Sequence, residues 1–350
     1  MSSQAPNFEL SSSKPLLDVL RGERRDPPPV WLMRQAGRYL PEYRALRADK
    51  GGFLDLVYDA TAAAEVTLQP LRRFGFDGAI LFSDILIVPH AIGQDLSFVA
   101  GEGPRLSPPL ADGLLAGLTA APRHLEAIYR TVRRVAAELA PQTTFLGFAG
   151  SPWTVATYMV AGQGSREQAD ARRLAYRDPG AFGALIDRIV AETVEYLCGQ
   201  IGAGVDAVQL FDSWSGSLSP AQFGRWVIAP TVAIVAALKA RHPDVPVIGF
   251  PKGAGGKLPA YARETGVDAI GIDETVDPHW AHANLPVGMP VQGNLDPLAL
   301  LTGGAVLDEA ISKILAAFAD RPHVFNLGHG ILPDVPIAHV EHLLRRLRAP

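Results

Sequence analysis

Eight short apolar runs of strand length alternate with longer stretches of helical period along the 350 residues of this chain, and that alternation predicts an α/β fold, a single-domain (β/α)8 TIM barrel. Two observations reinforce it. A short unit recurs where a helix hands over to a strand: Gly75-Phe76-Asp77-Gly78-Ala79-Ile80, Gly204-Val205-Asp206-Ala207-Val208 and Gly266-Val267-Asp268-Ala269-Ile270. Glycine suits the left-handed cap that closes a helix and aspartate suits the turn before a strand, so these aspartates read as turn formers rather than catalysts. No G-x-G-x-x-G follows the first run, unlike an open dinucleotide-binding sheet.

The strand runs are 29–33, 79–83, 144–149, 207–211, 245–250, 269–272, 290–293 and 323–327. Proline and glycine crowd the first and seventh; the third, fifth and eighth are the clearest. Helices are expected over 55–74, 122–140, 181–201, 220–241, 307–319 and 336–347, with short ones at 257–265 and 277–284. The stretch 88–118 is too long for a simple connection and carries Gly93, Gly101, Gly103, Pro104, Pro108 and Pro109, so it reads as an inserted loop or hairpin after the second strand. Residues 1–13 read as a polar tail and 14–350 as one barrel domain, because no Ser- or Gly-rich linker divides the chain. Ser151-Pro152 reads as an N-cap followed by proline at the first helical position.

Composition narrows the function classes. The chain has 36 acidic and 32 basic residues, for a net charge of −4, and so shows no electrostatic footprint for nucleic acid or an anionic membrane. Its 48% hydrophobic content supports a large core. The start, MSSQAPNFEL, lacks the basic and apolar regions of a signal peptide, and apolar stretches such as 231–238 are short of a bilayer span, so a cytoplasmic protein is expected. A lone cysteine, Cys198, rules out an internal disulfide framework and reads as core packing.

In a barrel the chemistry belongs at the carboxyl ends of the strands, and polar residues collect there. Arg34 and Arg38 lie four apart beyond the first run, suited to forked binding of carboxylate or phosphate, or else to a surface ladder with Glu42 and Asp49. Asp84 ends an apolar run, as a mouth carboxylate or as a helix N-cap. Tyr158 sits one turn beyond Thr154, at the mouth or in the core; His329 stands between Gly328 and Gly330, where backbone approaches a ligand closely. Lys252 offers a Schiff-base nucleophile, and Asp212, Asp273 and Asp296 offer a Mg²⁺ site as the rival bottom-up reading.

Several of these segments resemble the uroporphyrinogen decarboxylase family. Val30-Trp31-Leu32-Met33-Arg34-Gln35-Ala36-Gly37-Arg38-Tyr39-Leu40-Pro41-Glu42-Tyr43-Arg44 is similar to its long N-terminal signature, and Phe82-Ser83-Asp84-Ile85-Leu86 to its second motif. Gly147-Phe148-Ala149-Gly150-Ser151-Pro152-Trp153-Thr154, Gln209-Leu210-Phe211-Asp212-Ser213-Trp214, Gly249-Phe250-Pro251-Lys252-Gly253, Gln292-Gly293-Asn294-Leu295-Asp296-Pro297 and Asn326-Leu327-Gly328-His329-Gly330-Ile331 follow in order. The resemblance implies a lyase of haem synthesis, free of cofactor and metal, that converts the four acetates of uroporphyrinogen III to methyls and yields coproporphyrinogen III. It implies a homodimer, with Asp84 on the pyrrole N–H groups and Arg34 and Arg38 on substrate carboxylates, Arg34 also being the favoured proton donor or relay. Gln35, Ala36 and Gly37 shape that loop, and Arg47, Tyr158, Ser213 and His329 match substrate-binding positions. Asp212 and Trp214 are assigned no catalytic role. A corrinoid-linked methyltransferase would share the barrel but needs a thiolate-rich zinc site that one cysteine does not supply. A non-catalytic tetrapyrrole-binding protein is the remaining alternative, and turnover separates it.

Overall fold

The computed structural model describes residues 13–99, 103–110, 115, 118, 124–165 and 167–348. Nearly all of the expected tail therefore lies outside the described residues, as do 100–102, 111–114, 116 and 117 of the expected insertion. The described residues contain nine strands: β1 (Gly78–Ile80), β2 (Asp95–Val99), β3 (Gly103–Ser107), β4 (Thr144–Gly150), β5 (Ala207–Asp212), β6 (Val247–Pro251), β7 (Ala269–Gly271), β8 (Val291–Leu295) and β9 (His323–Leu327). Seven of them form one parallel sheet in the order β1-β4-β5-β6-β7-β8-β9. Helices cover it, and a continuous apolar core runs through strands and helices alike.

The expected first strand is reduced to a bridge. Prolines 27, 28 and 29 carry no N–H, so no ladder donor exists before Val30. Val30 still joins the two edges of the sheet. Phe325 N–H of β9 donates to Pro29 O at 2.9 Å, and on the other side Asp77 N–H donates to Val30 O at 2.9 Å. A polar chain crosses the interior: Trp31 Nε1 donates to Gln292 Oε1 at 2.9 Å, and Gln292 Nε2 donates to Gln209 Oε1 at 3.0 Å. Side chains from the Val30 segment, β5 and β8 thus meet inside a closed wall.

The three repeated aspartates lie at the amino-terminal end of the barrel, and their partners are across the sheet rather than within their own turns. Asp77 Oδ2 accepts the Val30 N–H at 2.8 Å, Asp206 Oδ2 the Phe145 N–H at 2.7 Å, and Asp268 Oδ2 the Val247 N–H at 2.7 Å. Each carboxylate satisfies a backbone N–H at or next to the start of the neighbouring strand. Gly75 supplies the left-handed cap before the first of them, with φ 62°.

Three helical expectations change. The stretch 55–74 is two helices, Phe53–Tyr58 and Ala60–Phe74, because Asp59 leaves helical geometry to accept the N–H groups of Thr61 and Ala62. The stretch 220–241 holds a wide π turn at Gly224–Ile228, where Pro230 has no N–H to return to residue 226. This stretch is also long and apolar enough to match a bilayer span, with mean hydropathy 1.4, and half of its apolar window is buried in the protein. Ser151 does precede the helix Pro152–Ala161, but its hydroxyl makes no capping bond. The insertion contains an antiparallel hairpin of β2 and β3, stitched to the end of that helix by Leu106 N–H donating to Gly162 O at 2.8 Å. Cys198 is buried on a core helix.

Candidate active site

The loop after Val30 is built to hold an arginine in an unusual place. Gln35 N–H donates to Leu32 O at 2.8 Å, closing a turn whose third residue, Arg34, has φ 63°. Left-handed backbone costs a non-glycine residue about 1–3 kcal/mol unless its surroundings impose it. Here they do. Gln35 is fully buried, its Oε1 accepts Leu32 N–H at 3.0 Å, and its Nε2 donates to Gly78 O at 2.9 Å. Met33 N–H donates to Asn326 Oδ1 at 2.9 Å, and Ile331 N–H donates to Met33 O at 2.8 Å. Gln35 therefore positions the loop through both ends of its buried amide. The Arg34 stem lies across Gly330, where a β-carbon would collide with Cδ and come within 2.8 Å of Cγ. Gly37 is glycine for a similar reason, since a β-carbon there would sit 2.9 Å from Arg34 O.

Asp84 stands just beyond β1. Its Oδ1 accepts Leu86 N–H at 2.8 Å, a turn contact rather than a helix cap, and its second oxygen has no hydrogen bond among the described residues. Burial pushes its pKa up, while the Leu86 N–H and the nearby Arg34 charge oppose that rise. Tyr158 feels the same two charges; burial raises its pKa, and its ring lies 6.4 Å from that of Trp214. His329 has its pKa lowered to about 4 by burial, reinforced by the positive charges of Arg34 and Lys252. Its Nδ1 is buried without a partner. Arg34, Asp84, Tyr158 and His329 thus form one electrostatic unit at the carboxyl ends of the strands.

The remaining candidates sit around that unit. Arg38 and Arg47 both act on the Tyr43 hydroxyl. Arg47 donates to Gly51 O and lies 5.9 Å from the centre of the Phe53 ring, whereas Arg38 is exposed. Ala36 and Gly37 are half-buried in the turn. Ser213 is half-buried at the end of β5. Its neighbour Asp212 is buried, accepts from Thr154 Oγ1, and has its pKa pushed up to about 7 by burial. Thr154 Oγ1 in turn accepts Trp214 N–H at 3.1 Å, so this pair fixes the loop that carries Ser213.

The Mg²⁺ reading of Asp212, Asp273 and Asp296 does not match this geometry. Asp273 accepts Gly253 N–H at 2.7 Å and both polar groups of Thr275, and Asp296 caps Leu298 N–H at 2.8 Å. With Asp212 held by Thr154, the three carboxylates serve three separate turns. Among the described residues no three His, Cys, Asp or Glu side chains gather as metal ligands.

A family model described as uroporphyrinogen decarboxylase (URO-D) matches residues 11–349. The uroporphyrinogen decarboxylase of Rhizorhabdus wittichii is 75% identical over 338 residues, covering 97% of this chain and 98% of that protein. That of Sphingopyxis alaskensis is 73% identical, covering 97% of this chain and 99% of that protein. The chain belongs to the uroporphyrinogen decarboxylase family. Among solved structures, a methyltransferase from Methanosarcina mazei superposes with a TM-score of 0.79 at 16% identity, covering 97% of this chain and 98% of that one. At that identity the likeness extends to the barrel alone.

Within this uroporphyrinogen decarboxylase family member, some neighbours of Asp84 carry no sequence signal. Tyr58 donates to or accepts from His90 Nδ1 at 2.7 Å, and the Asp84 charge helps raise its pKa after burial. The Tyr196 hydroxyl meets Ser83 Oγ at 3.3 Å. Both tyrosines sit in helix patterns that look like ordinary core positions.

Proposed function

We propose that this chain removes carbon dioxide from the four acetate side chains of uroporphyrinogen III, giving coproporphyrinogen III in haem synthesis. The observation that carries the reading is the half-engaged Asp84 carboxylate beside Arg34, in a chain of this family. When an acetate loses carbon dioxide, the electron pair of the broken C–C bond needs a sink. The attached pyrrole becomes one once a ring carbon is protonated. The methylene then takes a proton and the ring carbon gives one back, so each carbon dioxide released consumes one proton and leaves a methyl. No cofactor is required for this cycle.

Asp84 accepts the pyrrole N–H groups with its open oxygen and offsets the cation as it forms. In a buried site that interaction is stronger than in water, and a preorganised group of this kind is worth roughly 10²–10³ in rate. Arg34 and Arg38 receive peripheral carboxylates in forked geometry, with Arg47 further along the same rim. Tyr158, Ser213 and His329 present hydroxyl and imidazole donors, while Ala36 and Gly37 keep the arginine turn narrow and Gln35 holds it in place. A guanidinium holds its proton too firmly for ordinary acid catalysis, so Arg34 orders a water relay rather than donating by itself. Residues 14–350 act as one catalytic domain, working as a homodimer in the cytoplasm.

Anaerobic incubation with uroporphyrinogen tests the reading. Seven-, six-, five- and then four-carboxylate products should accumulate, unaffected by exhaustive chelation. Tight binding with no loss of carbon dioxide would instead identify a tetrapyrrole carrier.

A further inference from the structure

Lysines in this protein are almost all tied down. Lys14, Lys50, Lys239, Lys257 and Lys313 each donate hydrogen bonds of 2.6–3.1 Å to carboxylates or carbonyls. Lys252 alone makes none among the described residues. Its nearest recorded counter-charge is Glu274 Oε1, at 3.6 Å, an ion pair beyond hydrogen-bond reach. Yet the root of this side chain is held firmly. Lys252 N–H donates to Asp212 O at 3.0 Å, its carbonyl accepts Ser215 Oγ at 2.9 Å, and the next N–H, of Gly253, donates to Asp273 Oδ2 at 2.7 Å. The chain thus aims a charged group with three unused donors from the carboxyl end of β6.

Its surroundings share the same incompleteness. Glu274 Oε2 is buried without a hydrogen-bond partner among the described residues, and so is His329 Nδ1. The loop carrying His329 presses on residue 274, since a β-carbon on Gly328 would collide with Glu274 N. Burial lowers the His329 pKa, and the Arg34 and Lys252 charges both reach the ring and add to that. A buried imidazole with an unpartnered nitrogen, feeling both Arg34 and Lys252, and an ammonium with free donors make a corner able to take a further carboxylate.

We propose that Lys252 is a substrate-carboxylate ligand on the β6–β9 side of the mouth, and that Glu274 is the counter-ion which that carboxylate displaces. The proposal rests on the decarboxylase reading, because that substrate carries eight carboxylates and the arginines of the first loop serve only one side of it. Glu274 keeps the lysine's charge balanced in the empty cleft. The long pair distance keeps the exchange easy, since a pair of this kind contributes little by itself.

Steady-state kinetics with uroporphyrinogen, under anaerobic conditions, on wild type, K252M and E274Q test it. Wild type is measured first, and a wild type without turnover would fail the decarboxylase reading rather than this one. Given turnover, K252M should raise KM about ten-fold, with kcat within about two-fold, as expected for loss of a charge-assisted contact that ground and transition states share. E274Q should leave KM unchanged or lower it, because the competing carboxylate is gone. A structural salt bridge would behave differently, with both substitutions raising KM alike. A K252M enzyme with KM within about two-fold of wild type overturns the proposal. So does an E274Q enzyme with KM more than about three-fold above wild type, whether or not K252M folds.

Discussion

At the end of the barrel where strands begin, Asp77, Asp206 and Asp268 each accept a backbone N–H at or next to the start of a neighbouring strand, and Asp206 and Asp268 also bind Lys14 and Lys239. At the end where strands finish, Asp84 leaves one oxygen open, Lys252 makes no hydrogen bond among the described residues, and His329 and Glu274 each keep a buried polar atom unpartnered. The residue types are the same at both ends. What differs is whether the backbone supplies a partner. At the amino-terminal end backbone N–H groups and lysines together occupy both oxygens of Asp206 and Asp268, and the gain is stability. At the carboxyl end the loops satisfy their own backbone through Gln35, Asn326 and Asp273, so other side chains remain available to a ligand.

The sharpest way to break this comparison is to neutralise one aspartate at each end. Asp84→Asn keeps an oxygen for Leu86 N–H but removes the charge that offsets the pyrrole cation. Its kcat should fall roughly 10²–10³-fold, with the melting temperature nearly unchanged. Measuring both on the same sample decides the point, and near-normal turnover in the folded variant would refute the role given to Asp84. Asp206→Ala should do the opposite. It strands the Phe145 N–H and frees Lys14, so urea denaturation should show a loss of about 1–3 kcal/mol, while kcat/KM of the folded enzyme stays at the wild-type value.

A subtler change sharpens the picture of the mouth without deleting any charge. Gly330→Ala puts a methyl where the Arg34 stem lies, so the guanidinium must move aside. KM for uroporphyrinogen should rise about ten-fold, with little loss of stability, since the obstructed neighbour is a flexible side chain. An unchanged KM would mean that Arg34 binds substrate from some other position.

Much of this division was legible in the sequence. The apolar runs place the seven sheet strands to within a few residues, and the Gly-x-Asp units mark the amino-terminal junctions. The clasp across to the next strand was not legible, because a turn-forming aspartate and a strand-bridging one have the same local pattern. The first strand shrinks to Val30 because Pro29 has no N–H and the N–H groups of Leu32 and Met33 turn to Gln35 and Asn326 side chains, losses that the apolar count alone does not register. At the mouth, the family-like motifs pointed to Arg34, Asp84 and His329. The cradle at Gly330 and the Lys252–Glu274 pair escape any linear reading, since each joins segments that only barrel closure brings together. Asp59 is the reverse case, where a local cap signal was present and the helical period around it masked it.

The smallest effect compares two histidines on one strand and its loop. His323 opens β9 and His329 follows its end, and burial lowers the pKa of both to about 4. His323 uses its Nε2–H on Gly293 O at 2.7 Å, while His329 leaves Nδ1 unpartnered. A histidine near 6.5 in the unfolded chain and near 4 in the folded one lets the unfolded chain bind more protons between those values. Stability should therefore be lost as pH falls from about 6.5 towards 4, and be flat above that window. His323→Gln and His329→Gln should each flatten that slope in thermal unfolding followed from pH 7 to 4. Only His329→Gln should also raise KM at neutral pH, because only its ring keeps a buried nitrogen without a hydrogen-bond partner among the described residues. If His323→Gln raised KM as much, the functional division between the two ends of the barrel would fail at the strand that spans both.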